Sequence, residues 1–447
     1  MTDVFPPRSG GSGWSTFYLG KSLTERGHGV RILRPDWDSA SMRPTLRLGE
    51  YEGLPVEWVH LPCPPTWAEK AGLGTAWRER QATGLMAKRA ARLAIAGQAD
   101  VLHGQHKASA SAASIAVRRA RSKGARVVSV ATVRDYWPLC PASTRLFMRG
   151  DGTTFECHAC HRLPDYLRCC YAGRRSPLGM PLSLARWLAT RGASRLLAAC
   201  DATIAVSRYV RDELAMSGRV PGEKLVSIPN LVHLPSVARS LAASWPLHDI
   251  SPQDRYALFV GKLDTNKGAH YLPEIMQGAA LDMPLVLAGD GPLRSHLEDA
   301  ARSKGLDFRF HHWLDNDAIL RLMHSATLLL FPSAWQEPLS RVLLEACAAS
   351  AAIVAMNTGG TGDIIEHGES GWLAGDVADL TDGARTVASD HALNARLRSG
   401  ARRRAETTFS SDQVASQVEQ LYSSLLTGLA KNPNPKSKIQ NPKSEAE

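Results

Sequence analysis

No apolar run in this 447-residue chain reaches the roughly 18 residues that a membrane-crossing helix needs, so an integral membrane protein is not expected. The opening residues lack the charged-then-apolar pattern of a secretory leader, and the eight cysteines fall at irregular spacing, which suits reduced thiols rather than a disulfide framework. The expected location is cytoplasmic. Aromatic residues are scarce at 6%, and no basic run carries interleaved aromatics, so no nucleic-acid partner is expected. Acidic residues are the minority charge, 43 against 53 Lys and Arg, and the net charge of +10 favours polyanions such as nucleotide phosphates or anionic lipid headgroups. No internal repeat is evident.

What the chain has is length and alternation. At 447 residues it exceeds what one hydrophobic core serves, and two domains are expected. Short apolar strands are read at 29–33, 55–61, 100–103, 126–132 and 202–206, between helical segments such as 14–26, 76–96 and 108–123. A second series follows at 256–260, 284–288, 308–311, 327–331 and 352–355. Strands alternating with helices predict doubly wound parallel sheets. The expected division is an N-terminal Rossmann-like domain over 1–234 and a C-terminal one over 235–409. A long helix over 410–430 is expected to cross between them, and the tail 431–447, rich in proline, lysine and serine, to be disordered. Residues 234–255 show little pattern and are read as a linker.

The most informative stretch is 328–360, LLLFPSAWQEPLSRVLLEACAASAAIVAMNTGG, which reads as strand, loop, helix, strand and glycine turn. Pro332 and Ser333 end the strand, and helical spacing from Leu339 places Val342, Leu343, Ala346 and Cys347 on one face. Glu337 then falls in the loop beyond the strand's carboxyl end, and Glu345 about two turns into the helix. Both carboxylates can face the crevice where open α/β sheets bind ligands. The helix start near Leu339 and Ser340 suits a pyrophosphate, and Glu345 suits a ribose diol.

Other strand ends carry related chemistry. Gly10 and Gly11, in the loop PPRSGGSG, allow backbone N–H groups to approach an anion. Gly261-Lys262 through Lys267-Gly268 puts two lysines on a glycine-flanked loop, placed to neutralise a diphosphate leaving group, and Gly289 ends the next strand in a second glycine turn. The strand 126–132 ends in Arg134-Asp135, either a cation at the chemistry or an arginine paired with its neighbour. His103 and His106 are read as non-catalytic loop histidines. The insertion 138–175 holds Cys140, Cys157, Cys160 and Cys169, the ligand supply of a structural zinc site, with free thiols in a flap as the alternative. The helix 182–199 mixes leucines, Trp187 and arginines. It is read as a packed helix, with a peripheral position on an anionic inner membrane face as the alternative.

The string PS-x3-EPLSRVLLEA followed by a strand and TGG resembles the E-x7-E signature of family 4 retaining glycosyltransferases. The resemblance covers most of residues 1–429 and is strongest over 257–375. It implies the α/β GT-B fold, two Rossmann-like doubly wound domains facing an interdomain cleft. It further implies transfer of a sugar from a nucleoside diphosphate sugar to an acceptor hydroxyl, on a glycan, a lipid-linked sugar or a small molecule, without a catalytic metal. The implied catalytic set is Glu337, Lys267, Lys262 and Arg134, and the donor-binding set Glu345, Gly10, Gly11, Gly261, Leu339, Ser340 and Gly289. Two departures stand out: Lys262 replaces the family's arginine, and Arg134 stands where members commonly have histidine. A nucleotide-sugar epimerase of the same architecture and a non-catalytic nucleotide-sugar-binding protein stay open.

A doubly wound sheet needs a first strand directly before its glycine loop, and only Met1–Phe5 precede Pro6-Pro7. In the family the corresponding text is a strand ending in V-T-D, with Met1 here at the valine. The expectation is an apolar strand upstream of Met1. The alternative is a sheet that manages with the stub 2–5.

Overall fold

The computed structural model describes residues 1–431 except 8, 10, 42, 71–72, 149–153, 158–163 and 165–178. Its C-terminal half is built on strands β10 (Ala257–Val260), β11 (Leu285–Ala288), β12 (Phe308–His311), β13 (Leu328–Phe331), β14 (Ile353–Met356) and β15 (Trp372–Ala374). They form one parallel sheet in the order β12-β11-β10-β13-β14-β15. The strands β11 and β13, LVLA and LLLF, are buried along their whole length. That is why they read as unbroken apolar runs: helices cover both faces of the sheet, and no alternate position meets water. The strand order reverses between β10 and β13, leaving a crevice above their carboxyl ends.

The N-terminal half contains two sheets. The first holds β1 (Ile32–Ser41), β2 (Thr45–Tyr51) and β3 (Leu54–Pro62) in the order β1-β3-β2, with β1 parallel and β2 antiparallel to β3. The second holds β4 (Val101–Gly104), β5 (Val128–Val133), β8 (Ala202–Ala205) and β9 (Leu225–Ser227), all parallel. A small hairpin, β6 (Leu146–Met148) with β7 (Thr154–Glu156), lies in the insertion. Between β1 and β4 runs the start of the chain. Thr2 N donates to Leu33 O, and Met1 O accepts from Gln105 N.

Several sequence expectations need correction. The first strand begins at Ile32, not 29, and extends to Ser41. Strand β2 was not foreseen: its alternation extends only over Leu46 and Leu48, and six of its seven residues are exposed. The expected linker 234–255 opens with a helix, Leu234–Leu241, whose first turn has Pro235 and whose Ser236 N donates to the His233 side chain. The helix after β13 starts at Arg341 rather than Leu339, so Glu345 lies in its second turn. Arg134 is bonded to Gln105, not to Asp135.

The halves are joined in more than the linker. Val232 bridges Ser410, and the helix Ser411–Lys431 returns to the N-terminal half, burying Val414, Ala415 and Val418 with Leu19 and Leu23 of the helix Gly11–Glu25. Arg26 donates to both Asp412 and Glu419 at 2.8 Å across that contact, a partly exposed pairing worth little beside the apolar burial.

Candidate active site

The loops that follow β10 and β13 meet at the point where the sheet order reverses. Gly268, at a φ of 68°, brings its backbone so near that an added Cβ would lie 1.7 Å from Pro332 O. Trp335 N donates to Asn266 O at 3.1 Å, tying the loops together. Through this contact Lys267, from the first loop, reaches Glu337, from the second, at 2.5 Å. Glu337 is buried and also accepts from Ser333 Oγ at 3.2 Å. The Lys267 ammonium lies 5.0 Å from the Trp335 ring centroid, where the aromatic face attracts it further. The glycine turn after β14 clamps the same loop from behind, since Gly360 N donates to Glu337 O and Gly359 N to Gln336 Oε1.

The opposing wall comes from the N-terminal half. Arg134, at the end of β5, donates Nη2 to Gln105 at 2.7 Å, whereas its Nε and Nη1 are shielded from solvent without a hydrogen-bond partner. Burial, aided by the positive charge of Arg341, pushes its guanidinium down to about 10. Arg134 lines a small cavity of about 20 Å³ together with His103 and Thr132, so these two donors are left without a protein acceptor. Asp135 instead caps the next turn, accepting from Trp137 N at 2.7 Å, and burial raises it to about 6. His103 is buried between Tyr422 and Thr132, and His106 receives Asp3 N. Burial lowers both, His106 to about 3, so both are neutral structural groups.

Between the halves lies a cavity of about 890 Å³, lined by Gly11, Trp14 and Tyr18 on one side and by Trp313, Arg341 and Glu345 on the other. It is of the size that takes a nucleotide-sized ligand. Glu345 is buried and paired with Arg341 Nε at 2.9 Å, an i,i+4 contact. Arg341 then reaches across the cleft, its Nη1 3.2 Å from Ser15 Oγ, through the space that Gly11 leaves by having no side chain. Ser340 is the buried N-cap of the Arg341–Ala348 helix, with Leu339 buried beside it. Gly261 and Gly289 end β10 and β11 with their backbones in contact. Lys262 is the outlier, largely exposed and bonded to Asp264 at 2.8 Å rather than to Glu337.

Gly10 lies outside the described residues, as do Cys160 and Cys169 of the expected zinc set. Cys140 is buried and Cys157 half-buried. Among the described residues no three His, Cys, Asp or Glu side chains gather as metal ligands. Sequence reasoning missed Arg341 and Trp313. Arg341 had a readable signal, its position four residues before Glu345; Trp313 had only its place after a strand, and it is 67% exposed.

Residues 9–234 match the family model described as Glycosyltransferase Family 4, and residues 247–404 the model Glycosyl transferases group 1. The chain belongs to glycosyltransferase family 4. A glycogen synthase of Mycobacterium tuberculosis is 32% identical over 221 residues, which are 47% of this chain and 53% of that protein. The 2-deoxystreptamine N-acetyl-D-glucosaminyltransferase of Niallia circulans is 29% identical over 174 residues, 37% of this chain and 44% of that one. The chain thus spans about half the length of the curated relatives it matches. Among solved structures, HepE of Anabaena in complex with UDP superposes with a TM-score of 0.61 at 17% identity, covering 95% of this chain and 98% of that one. The catalytic domain of starch synthase IV from Arabidopsis thaliana, bound to ADP and acarbose, gives the same values. At such identities the likeness speaks for the fold: this family 4 member is GT-B.

Removing the ammonium of Lys267 leaves Glu337 buried with the Ser333 hydroxyl as its remaining side-chain partner. Lys267→Ala is therefore expected to lower stability by about 1–3 kcal/mol. Lys267→Ala with Glu337→Ala should cost less than the sum of the two single changes, as urea denaturation of the four proteins in that cycle would show. Gly268→Ala meets both the left-handed backbone and Pro332 O, and should lower the midpoint of thermal unfolding more than Gly428→Ala, whose Cβ meets open space.

Proposed function

We propose that this chain is a retaining glycosyltransferase that moves a sugar from a nucleoside diphosphate sugar to an acceptor hydroxyl. The observation that carries this reading is the pairing of Lys267 with the buried Glu337 at the reversal of the sheet order, on the loop that leads into the helix whose Glu345 lines the cavity between the halves. In this reading Glu345 accepts hydrogen bonds from the ribose diol, displacing Arg341. The N-terminus of the Arg341–Ala348 helix and Lys267 face the diphosphate, with Lys262 at the rim of the same loop. The vacant Nε and Nη1 of Arg134 suit a phosphate oxygen or a sugar hydroxyl, a role filled by fixed positive charge rather than by the histidine common in the family.

The reaction breaks the bond between the anomeric carbon and the diphosphate oxygen and forms one from the same face to the acceptor oxygen, whose proton passes to the departing phosphate. Negative charge grows on the diphosphate and positive charge on the anomeric carbon. Cations held in place at the first, and the Glu337 carboxylate near the second, stabilise that separation without reorganising during the step. The UDP of HepE and the ADP of the starch synthase are ligands of those proteins; they support a nucleoside diphosphate as the carrier here. The acceptor class is a glycan, a lipid-linked sugar or a small molecule. The exposed Leu184 and Leu188, on a helix with Arg186, Arg191 and Arg195, support a peripheral position at an anionic membrane, although no helix among the described residues is long and apolar enough to cross one.

The test is release of nucleoside diphosphate in the presence of acceptor. Glu337→Ala and Lys267→Ala are each expected to lower turnover about 10²- to 10³-fold. Near wild-type rates in either variant would overturn the assigned roles. Glu345→Ala should chiefly raise KM for the donor, since a ribose contact is made equally in the ground and transition states.

A further inference from the structure

Strand β2 is an edge of its sheet, with β3 on one side and solvent on the other. Its pairing fixes which backbone groups face outward. The β2–β3 hairpin turns on Glu52 and Gly53, at φ of 46° and 84°, the two left-handed positions of a type I′ turn. In such a hairpin the flanking residues, Tyr51 and Leu54, exchange both backbone hydrogen bonds, and the pattern alternates from there. Gly49, Arg47 and Thr45 therefore direct their N–H and C=O groups to β3, whereas Glu50, Leu48 and Leu46 turn theirs to solvent. Pro55 fits this register, since it stands opposite Glu50, in a pair that needs no N–H from it.

The outward row is apolar and uncovered. Leu46 is 41% exposed and Leu48 67%, although Val59 and Glu57, which face them across the hairpin, are buried. Val59 belongs to one cluster with Ala82 and Met86 of the helix Gly74–Ile95, and Glu57 accepts from Arg89 of that helix, so the cover ends before it reaches β2. Edge strands are commonly blunted by a proline or a bulge; β2 has no proline, and its register with β3 runs unbroken. On the opposite face the Arg47 guanidinium lies 4.0 Å from the centroid of the Trp58 ring. Gly49 lies beside the same ring, which a Cβ at that position would approach to 2.9 Å.

We propose that this edge binds a second copy of the chain, β2 pairing antiparallel with its counterpart about a two-fold axis through Leu48. In that register Leu48 faces its own counterpart and Leu46 faces the second copy's Glu50, so every outward residue meets an outward residue and each facing pair exchanges two backbone hydrogen bonds. A slip of two residues either way leaves fewer such pairs, because Pro44 has no N–H and Glu52 is in the turn. Arg47 then stands opposite the second copy's Gly49, at the close spacing of a non-hydrogen-bonded pair, and the absent side chain admits the arginine stem. The leucines of both copies form one strip on the other face. Charge favours a second copy as the occupant. Arg43 and Arg47 lie in the first half of the segment and Glu50 and Glu52 in the second, so antiparallel pairing sets the basic half of each copy beside the acidic half of the other.

The experiment measures the mass of the full chain in solution by light scattering over a range of concentration. The expected result is twice the mass of one chain, falling to a single mass on dilution. The Leu46, Leu48 and Glu50 amides should exchange with solvent at least about tenfold more slowly in the concentrated sample than in the diluted one, whereas those of Arg47 and Gly49, bonded to β3 in both, should not change. Leu48→Pro removes an outward N–H and leaves the β2–β3 ladder its bonds, so it should give a single mass with the thermal midpoint of the diluted wild type. Leu48→Lys and Leu48→Glu should each give a single mass, and their equal mixture the doubled one, because residue 48 meets itself across the axis. A wild type of single mass at every concentration, its edge left for the strand of another protein, would overturn the proposal. So would a doubled mass that survives Leu48→Pro, or a mixture of the two charged variants that stays single.

Discussion

The contact between Gly268 and Pro332 is the constraint from which the site follows. Two loops leave adjacent parallel strands at the point where the sheet reverses its order, and only a residue without a side chain lets their backbones close to van der Waals range. That approach turns an ammonium and a carboxylate, 70 positions apart in sequence, into a hydrogen-bonded pair at 2.5 Å. A longer-range tie would leave either group to find water instead. The pair is also held from the side, by the Trp335 ring, and from behind, by the turn at Gly359 and Gly360.

Three cations stand near the junction of the halves, of which Arg341 lines the large cavity. Lys267 and Arg341 come from the C-terminal sheet and Arg134 from the N-terminal one, and each is arranged differently. Lys267 and Arg341 each already have a carboxylate partner, Glu337 and Glu345. Arg134 holds two nitrogens in reserve, and its neighbour Asp135 is spent on a turn. The substitution that looked least conservative in the sequence, arginine for histidine, thus places a buried guanidinium with two nitrogens that no protein group satisfies. The other departure, Lys262 for arginine, sits at the exposed edge, where the loss of a planar fork matters least.

Most of the C-terminal sheet was legible because β10, β11, β13 and β14 are runs of four apolar residues that are almost wholly buried, with turn residues after them, whereas β15, three residues long and partly exposed, was not read. Glu337 and Glu345 were legible for the same reason, as positions counted from a strand end and a helix start. The N-terminal half resisted. Strand β2 is exposed along nearly its whole length, its two alternating leucines included, and the helix Leu234–Leu241 is short, with few buried positions. Arg341 was present in the quoted motif, yet its bond to Ser15 spans 326 positions, and no local pattern encodes a contact of that range. The glycine at 11 was read as room for a ligand's phosphate; in the folded chain that room holds the Arg341 side chain.

The loop that carries Glu337 is also where the two halves of the molecule hold each other. Tyr136 Oη donates to Gln336 O at 2.6 Å, Ser207 Oγ donates to Pro338 O at 2.6 Å, and Trp335 Nε1 donates to Thr144 O at 2.7 Å. These residues flank the carboxylate on both sides in sequence, and each is gripped from the N-terminal half. A hinge motion that widened the cleft to admit or release a ligand would therefore pull on the very backbone that aims the carboxylate. Opening and disarming become a single movement, and a gaping cleft is one in which Glu337 has lost its bearings.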